Sequence, residues 1–351
     1  MYIRATGNIS PQQSFGHGPL LETPVDHAGN RLNCIEPDYK EFIDVKLIRR
    51  MSRIIKMGVA AASECLREAD LQNPDAIVTG TAYGCLEDTG IFLGRMVEQQ
   101  ETLLAPTAFI QSTHNTIGAQ IALQLQCNNY NNAFVHRGFS FESALLDAML
   151  LLKEGDAQNV LVGAIDEITN ASHAILTRMG LYRRDNAPGL NLLTTPQKGT
   201  VAGEGAAFFV LANDPSATDY AKLDALHTFY KPAGKEAIEK EIGRFLSEAG
   251  VELNDIDLII DGRNGDLRHD DVFTELQSSL FKNIPTAGFK QFCGEFPTAS
   301  AFALWLASRI LKDAKIPAAL NVSGEPAALK KILIYNNHLN SHHSLLLVSA
   351  C

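Results

Sequence analysis

The chain has 351 residues, of which 46% are hydrophobic, so it can bury a large core as one domain or as two closely packed halves. Its 40 acidic residues outnumber its 30 basic residues, and the formal charge of −10 opposes binding to a nucleic-acid backbone. No stretch approaches the roughly 18 apolar residues of a membrane span, and residues 1–14 lack the apolar segment of a secretory signal. We therefore expect a cytoplasmic protein that binds neither nucleic acid nor membrane.

The six cysteines are spread widely and include no Cys-x-x-Cys pair, so they indicate neither a disulfide framework nor a zinc site. The adjacent His342 and His343 would point apart on a strand, which disfavours a joint metal site there. We predict no metal and no cofactor.

Helical and strand patterns alternate along the first part of the chain, which argues for an α/β fold. The predicted elements are a helix from Ser52 to Ala69, a strand AIVTG, a helix over 116–125, a strand over 133–136, a helix over 140–155, and strands over 159–165 and 206–211. The segments 133–136, 140–155 and 159–165 form one β-α-β unit. Its last strand is almost continuously apolar, as expected of a buried strand.

The polar, turn-rich segment 213–219 marks a boundary, so we predict two halves, 1–213 and 214–351. The second half repeats the order of the first in shorter form. Its predicted elements are the strand KLDALHTFY, the helix KEAIEKEIGRFLSEAG, the strand DLIID, the helix DVFTELQSSLF, a short strand at TAGF, the helix TASAFALWLASRIL, and the strands KILIY and SLLLVS. These similar halves, with no flexible linker between them, predict a duplicated fold with two mixed sheets packed around buried helices.

The turn at the start of the 140–155 helix has the form of a nucleophile site without a nucleophile. A strand that ends in a tight turn and leads into a helix places a side chain where the helix dipole favours developing negative charge. Here the turn reads His136-Arg137-Gly138, followed by Phe139 and by Ser140, a candidate N-cap.

Four segments stand in order along the chain: RRMSRIIKMGVAAASECLREADL at 49–71, FIQSTHNTIGAQIAL at 109–123, GDAQNVLVGAIDE at 155–167 and TVAGEGAAFFVL at 200–211. Together they resemble segments of the β-ketoacyl synthases, the condensing enzymes of fatty-acid and polyketide synthesis. The resemblance covers almost the whole chain. It implies a thiolase-like fold with αβαβα layers.

The resemblance also implies a Cys-His-His catalytic triad, and all three positions are altered here. Gly138 stands at the cysteine position, Arg263 at the first histidine and Glu295 at the second, while the lysine of the second motif is kept as Lys290. The glycine-rich segment of the family near the C-terminus is replaced by NNHLNSHHS at 336–344. We predict no condensing residues, and an Arg263–Glu295 salt bridge filling the site.

Two other nucleophiles remain possible near this site. Cys293 lies two residues before Glu295, although a buried free thiol is the simpler interpretation. Ser140 could act with His136, although a strand-end histidine and a helix cap fit the spacing better.

Gln111, Ser112, His114 and Asn115 match the segment that lines the acyl pocket and dimer interface in the family, so we hold them as pocket or interface candidates. The alternative is that these polar residues have no pocket role and only form hydrogen bonds with buried backbone groups. The basic residues Lys46, Arg49, Arg50, Arg53 and Lys56 could dock an acidic acyl carrier protein, although helical spacing scatters some of them around the helix axis.

The sequence therefore favours a catalytically silent subunit of the chain-length-factor type. It would pair with an active ketosynthase and an acyl carrier protein in type II polyketide, aryl-polyene or fatty-acid-like synthesis. One alternative is an acyltransferase or thioester hydrolase that uses Cys293 or Ser140. Another is a homodimeric acyl-binding scaffold.

Overall fold

The computed structural model describes residues 1–16, 18–102, 104–326 and 328–351. The strands of the described chain are β1 (Tyr2–Ile9), β2 (Ala28–Gly29), β3 (Ala76–Gly80), β4 (Tyr130–Phe134), β5 (Asn159–Asp166), β6 (Ala187–Pro188), β7 (Gly205–Ala212), β8 (Ala221–Tyr230), β9 (Leu258–Asp261), β10 (Thr286–Gly288), β11 (Lys331–His338) and β12 (His342–Ser349). The α-helices are α1 (Val45–Ile48), α2 (Arg53–Glu68), α3 (Leu86–Glu98), α4 (Pro106–Gln111), α5 (Thr116–Leu125), α6 (Ser140–Glu154), α7 (Asn170–Arg178), α8 (Lys235–Glu248), α9 (Asp271–Ser278), α10 (Lys290–Cys293) and α11 (Ser300–Asp313).

Ten strands form one mixed sheet in the order β10-β9-β11-β12-β8-β1-β7-β5-β3-β4. Each half of this sheet contains five strands, and both halves have the order third, second, fourth, fifth, first along their own part of the chain. The duplication expected from the sequence is therefore present in the topology. The two predicted sheets are joined edge to edge, because Tyr2 and Ile3 of β1 pair with Lys222 and Ala221 of β8.

Three apolar clusters place the helices around the two halves of the sheet. The largest cluster contains α6, α11 and the faces of both sheet halves that pack on them. A second cluster packs α2 and α5 on the outer face of the first half, and a third packs α8 and α9 on the outer face of the second. The predicted α/β fold with layers of the αβαβα type is confirmed.

The first residues of α6 and α11 lie at the buried centre of this arrangement. Ser140 and Phe141 of α6 are fully buried, as are Ser300 and Ala303 of α11. Helix N-termini carry free N–H groups and a partial positive charge, so this centre suits buried carboxylates.

Most predicted elements are present, with two differences that affect the site. The strand before the turn covers Tyr130–Phe134 rather than 133–136, so His136 lies in the turn. The strand predicted to end at Tyr335 continues to His338, and β12 begins at His342, so most of the segment 336–344 is a β-hairpin. The division of the chain at residue 213 stays a prediction.

Within the described part of the chain, no helix is both long and apolar enough to cross a membrane.

Candidate functional site

The turn between β4 and α6 has room for a glycine and for nothing larger. Arg137, and not Gly138, adopts the left-handed conformation, with a φ of 52°. A Cβ atom on Gly138 would lie 2.8 Å from Cβ of His338 and 2.9 Å from Cβ of His342. Since real Cβ atoms do not approach other carbons so closely, no cysteine fits at this position while the β11–β12 hairpin covers it.

Ser140 is the first residue of α6 and supports the turn. Its hydroxyl accepts a hydrogen bond from the His136 amide at 2.9 Å and donates one to the Arg137 carbonyl at 2.8 Å. The His136 ring instead contacts the Ser143 hydroxyl at 2.9 Å. The structure therefore does not bring His136 and Ser140 together as a base and a nucleophile. The expected N-cap role of Ser140 is wrong as well, because Phe139 occupies the N-cap and the Ser140 hydroxyl bonds back to the turn.

Glu295 is the centre of a buried polar network. One carboxylate oxygen accepts hydrogen bonds from Lys290 Nζ at 2.7 Å and from Asn264 Nδ2 at 2.6 Å, and the other lies 3.0 Å from His338 Nδ1. Lys290 is fully buried and also donates to the carbonyl of Asn337 at 3.1 Å. A buried ion pair with this many hydrogen bonds keeps its charges satisfied without water.

The electrostatics of this network favour an ionised carboxylate. Burial alone would raise the pKa of Glu295, but the Lys290 ammonium and the His338 ring outweigh it and lower that pKa to about 2. A second carboxyl, that of Glu142 on α6, is also fully buried, and burial raises its pKa although Ser300 and Ser344 lie close enough to favour the charge. The surroundings of Glu295 therefore favour its charged form, whereas those of Glu142 favour its neutral form.

The predicted Arg263–Glu295 salt bridge is wrong. Arg263 forms a bidentate pair with Asp261, with Nε at 2.7 Å and Nη2 at 2.6 Å from the two carboxylate oxygens. Asp261 lies only two residues away and is buried at the end of β9, so it satisfies the guanidinium at little cost in chain ordering. Glu295 pairs with Lys290 for the same reason, because Lys290 lies only five residues earlier, at the start of α10.

Residues 33–222, more than half of the chain, match the family described as Beta-ketoacyl synthase, N-terminal domain. The chain belongs to the β-ketoacyl synthase family. A 3-oxoacyl-[acyl-carrier-protein] synthase 2 of Synechocystis sp. is 26% identical over 216 residues, which cover 58% of this chain and 51% of that protein. The chain therefore spans about half the length of this relative.

Solved structures of ketosynthases share the fold over the whole chain. The ishigamide ketosynthase/chain length factor superposes with a TM-score of 0.81 and 17% identity, covering 100% of this chain and 98% of that one. A ketosynthase in complex with its chain length factor from Xenorhabdus doucetiae superposes with a TM-score of 0.77 and 15% identity, with coverages of 100% and 98%. At these identities the likeness establishes a thiolase-like fold.

Cys293 has the properties of an inert thiol in this β-ketoacyl synthase family member. It is 1% exposed at the end of α10, and its Sγ donates to the Gly294 carbonyl at 3.4 Å. Burial raises the pKa of the thiol well above its usual range, whereas a reactive cysteine needs a lowered pKa and access. The structure gives no support to Cys293 as a relocated nucleophile.

The four polar pocket candidates lie on one surface segment at the end of α4 and the start of α5. The Gln111 side-chain amide donates to the Arg50 carbonyl, and the Ser112 hydroxyl donates to the Phe109 carbonyl at 2.8 Å. His114 and Asn115 are exposed. Gln111 and Ser112 thus use their side chains to bond backbone carbonyls, whereas the side chains of His114 and Asn115 are open to solvent.

Sequence reasoning missed His338 and Asn264, which complete the Glu295 network. Asn264 follows the Arg263 position directly, and His338 stands within the segment that replaces the glycine-rich one. Hydropathy gives no signal for them, since buried polar residues look like loop residues. The one available signal was a histidine inside the altered C-terminal segment of a chain that had lost its catalytic histidines.

Proposed function

We propose that this β-ketoacyl synthase family member is a non-condensing subunit of the chain-length-factor type. It would pair with an active ketosynthase and an acyl carrier protein in type II polyketide, aryl-polyene or fatty-acid-like synthesis. The supporting observation is that the position of the nucleophile is occupied by the β11–β12 hairpin. Covalent catalysis needs a thiolate with access to its thioester, and this turn offers neither.

An unpaired sheet edge with apolar helices on both sides supports a partner subunit. β4 is the last strand of the ten-stranded sheet, and its Tyr130 is 45% exposed. α5 and α6 both contact β4, and they expose Leu123 (69%), Leu146 (49%) and Leu150 (43%). Open sheet edges and clustered exposed apolar side chains are features of surfaces that bind another protein.

Exposed apolar residues also occur on the two helices that precede α5. α3 and α4 contact each other through Phe92 and Phe109, whose ring centres are 5.5 Å apart. Val97 of α3 is 75% exposed, and Ile110 of α4 is 59% exposed. We call the exposed apolar residues of α3, α4, α5, β4 and α6 the pairing face; they are Ile91, Leu93, Val97, Phe109, Ile110, Leu123, Tyr130, Leu146 and Leu150.

Three basic residues beside this face suit an acidic carrier protein. Lys46, Arg49 and Arg50 are exposed on and after α1. The other two residues of the basic stretch have structural roles, because Arg53 pairs with Glu36 and Glu204 while Lys56 lies over the Tyr39 ring. Complementary charge mainly accelerates association and orients the partner.

Co-expression with the ketosynthases of the same organism tests the proposal. We expect one ketosynthase to co-purify, and Leu123→Asp to abolish the pairing because it places a charge in an apolar interface. Leu267→Asp is the matched control, since Leu267 is 51% exposed on the loop after β9, outside the pairing face.

The product of the purified pair gives the second readout. Substitutions at Gln111, Ser112, His114 and Asn115 should shift the length of the product made from malonyl carrier protein. If no ketosynthase co-purifies and product length ignores these changes, the proposal fails. Recovery of a homodimer alone would favour the acyl-binding scaffold.

A further inference from the structure

The hairpin that covers Gly138 is held shut by contacts that come from the altered catalytic positions. We call residues Asn337–His342 the strap. Its two histidines lie directly over the turn, where their Cβ atoms take the space of a Gly138 side chain. Phe139 packs edge-on against His342 with ring centres 4.7 Å apart, and Tyr230 packs on the same ring at 5.0 Å.

The Glu295 network reaches the strap twice. Glu295 contacts the His338 ring at 3.0 Å, and Lys290 donates to the Asn337 carbonyl at 3.1 Å. Both strap contacts are buried, so water does not compete with them.

Glu295 is itself fixed to the body of the protein. Its amide donates to the Val201 carbonyl at 2.8 Å, and its carbonyl accepts from the Gly203 amide at 3.0 Å. Gly203 and the neighbouring Gly294 approach so closely that a Cβ on Gly294 would lie 2.5 Å from the Gly203 Cα. The carboxylate that holds the strap therefore stands on rigid backbone.

The tip of the strap needs such an anchor. Leu339 and Asn340 have φ angles of 57° and 49°, and the left-handed region is unfavourable for a branched side chain such as leucine. Unfavourable backbone persists where surrounding contacts hold it. Loss of the contacts from Glu295 and Lys290 should therefore release the strap while the packing of the core stays intact.

We propose that the strap is a closing element over the former active site, latched by Glu295 and Lys290 through His338 and Asn337. The closure rests on the same hairpin that supports the proposed function, and adds the latch to it. It is a second barrier to thioesters beside the loss of the cysteine. The experiments below read the strap alone, whereas the proposed function is read by co-purification with a ketosynthase, so the two can fail separately.

Thiol labelling with peptide mass mapping tests the closure. The chain supplies two internal references, because Cys351 is exposed and Cys293 is buried. In the full-length Asn337→Cys variant both latch contacts stay, because Lys290 bonds to the backbone carbonyl of residue 337, and Asn337 is only 3% exposed. We therefore expect the introduced thiol to label as slowly as Cys293. Adding His338→Ala, which removes the contact with Glu295, should accelerate its labelling by about tenfold or more, towards the rate of Cys351.

Two outcomes of the labelling overturn the proposal. Labelling of Asn337→Cys as fast as Cys351 would mean that the strap is open in the native chain. Slow labelling of Asn337→Cys/His338→Ala would mean that the His338 contact does not hold the strap shut.

Hydrogen exchange tests the latch without a new cysteine, in case Asn337→Cys does not fold. In His338→Ala we expect exchange to rise about tenfold in the peptides covering 134–142 and 336–344 together, with β7 unchanged. Unchanged exchange in those two peptides, or an equal rise in β7, would contradict a local latch.

Discussion

Replacement of Lys290 by methionine isolates the energetics of the buried network. The Lys290–Glu295 ion pair has a 2.7 Å contact and side chains that are 0% and 1% exposed. At an effective dielectric constant near 20, the charge attraction at this distance is roughly 6 kcal/mol before the cost of desolvation is subtracted. Removal of one partner of a buried pair costs about 3–5 kcal/mol, because the other charge stays buried. We expect the lower end, since Glu295 keeps Asn264 and His338.

A double-mutant cycle separates the pair from its surroundings. Glu295→Met alone leaves a buried ammonium that keeps the Asn337 carbonyl and the face of the Phe289 ring as partners, and it should cost about as much as Lys290→Met. The double variant Lys290→Met/Glu295→Met removes both charges and should recover about 2–3 kcal/mol relative to the sum of the single changes.

Urea unfolding followed by circular dichroism and by the fluorescence of the single tryptophan, Trp305, measures these free energies. Trp305 is buried in the core beside Phe302, so it reports loss of the central packing. Lys282→Met, at an exposed lysine, is the matched control and should change stability little. A Lys290→Met variant within about 1 kcal/mol of wild type, or strictly additive single changes, would refute the reasoning.

Three further predictions follow from single residues. Burial beside Glu87 raises the pKa of Glu167 to about 7, so the wild-type protein loses stability as pH rises from about 4.5 to 7. The free energy of unfolding of Glu167→Gln, measured by urea titration, should therefore rise by up to about 3 kcal/mol relative to wild type across that pH range. A difference between the two proteins that does not depend on pH would contradict this. Cys293→Ala should leave any thioesterase signal of the purified chain unchanged, whereas loss of such a signal would restore Cys293 as a nucleophile. Arg263→Met should lower stability by about 1–3 kcal/mol by leaving the Asp261 carboxylate unpaired, and Arg263→Lys should lower it less, as judged by urea midpoints; equal losses would count against the bidentate pair.

The sequence was sufficient to predict the central β-α-β unit. The helical period of 140–155 and the apolar run of 159–165 correspond to α6 and β5, because strong periodicity and long apolar segments are dominated by burial. The same applies to α5, whose observed range matches the predicted one.

The resemblance to the family named the residues at the three altered positions, 138, 263 and 295, but not their partners. In the structure His338 and His342 cover Gly138, and His338 also contacts Glu295. The resemblance did not indicate the ion pairs. Arg263 pairs with Asp261 and Glu295 pairs with Lys290, and both partners are closer along the chain than Arg263 and Glu295 are to each other. Ion pairs between residues close in sequence are favoured because they require less ordering of the chain.

The strap was missed because its first two residues, and Asn336 before them, are polar and buried at the same time. Asn336, Asn337 and His338 extend β11 beyond the apolar run that ends at Tyr335, and all three are at most 5% exposed. A pattern based on hydropathy ends the strand at the last apolar residue. The folded hairpin buries them: His338 lies over Gly138 and contacts Glu295, and Asn336 packs beside Gly262.

Native mass spectrometry of the chain co-expressed with its candidate ketosynthase, after incubation with malonyl carrier protein, tests the central claim most directly. The proposed pairing predicts one 38.2 kDa copy of this chain per ketosynthase, with acyl mass added to the ketosynthase alone. A homodimer of this chain that itself carries acyl mass or turns over malonyl carrier protein would contradict it.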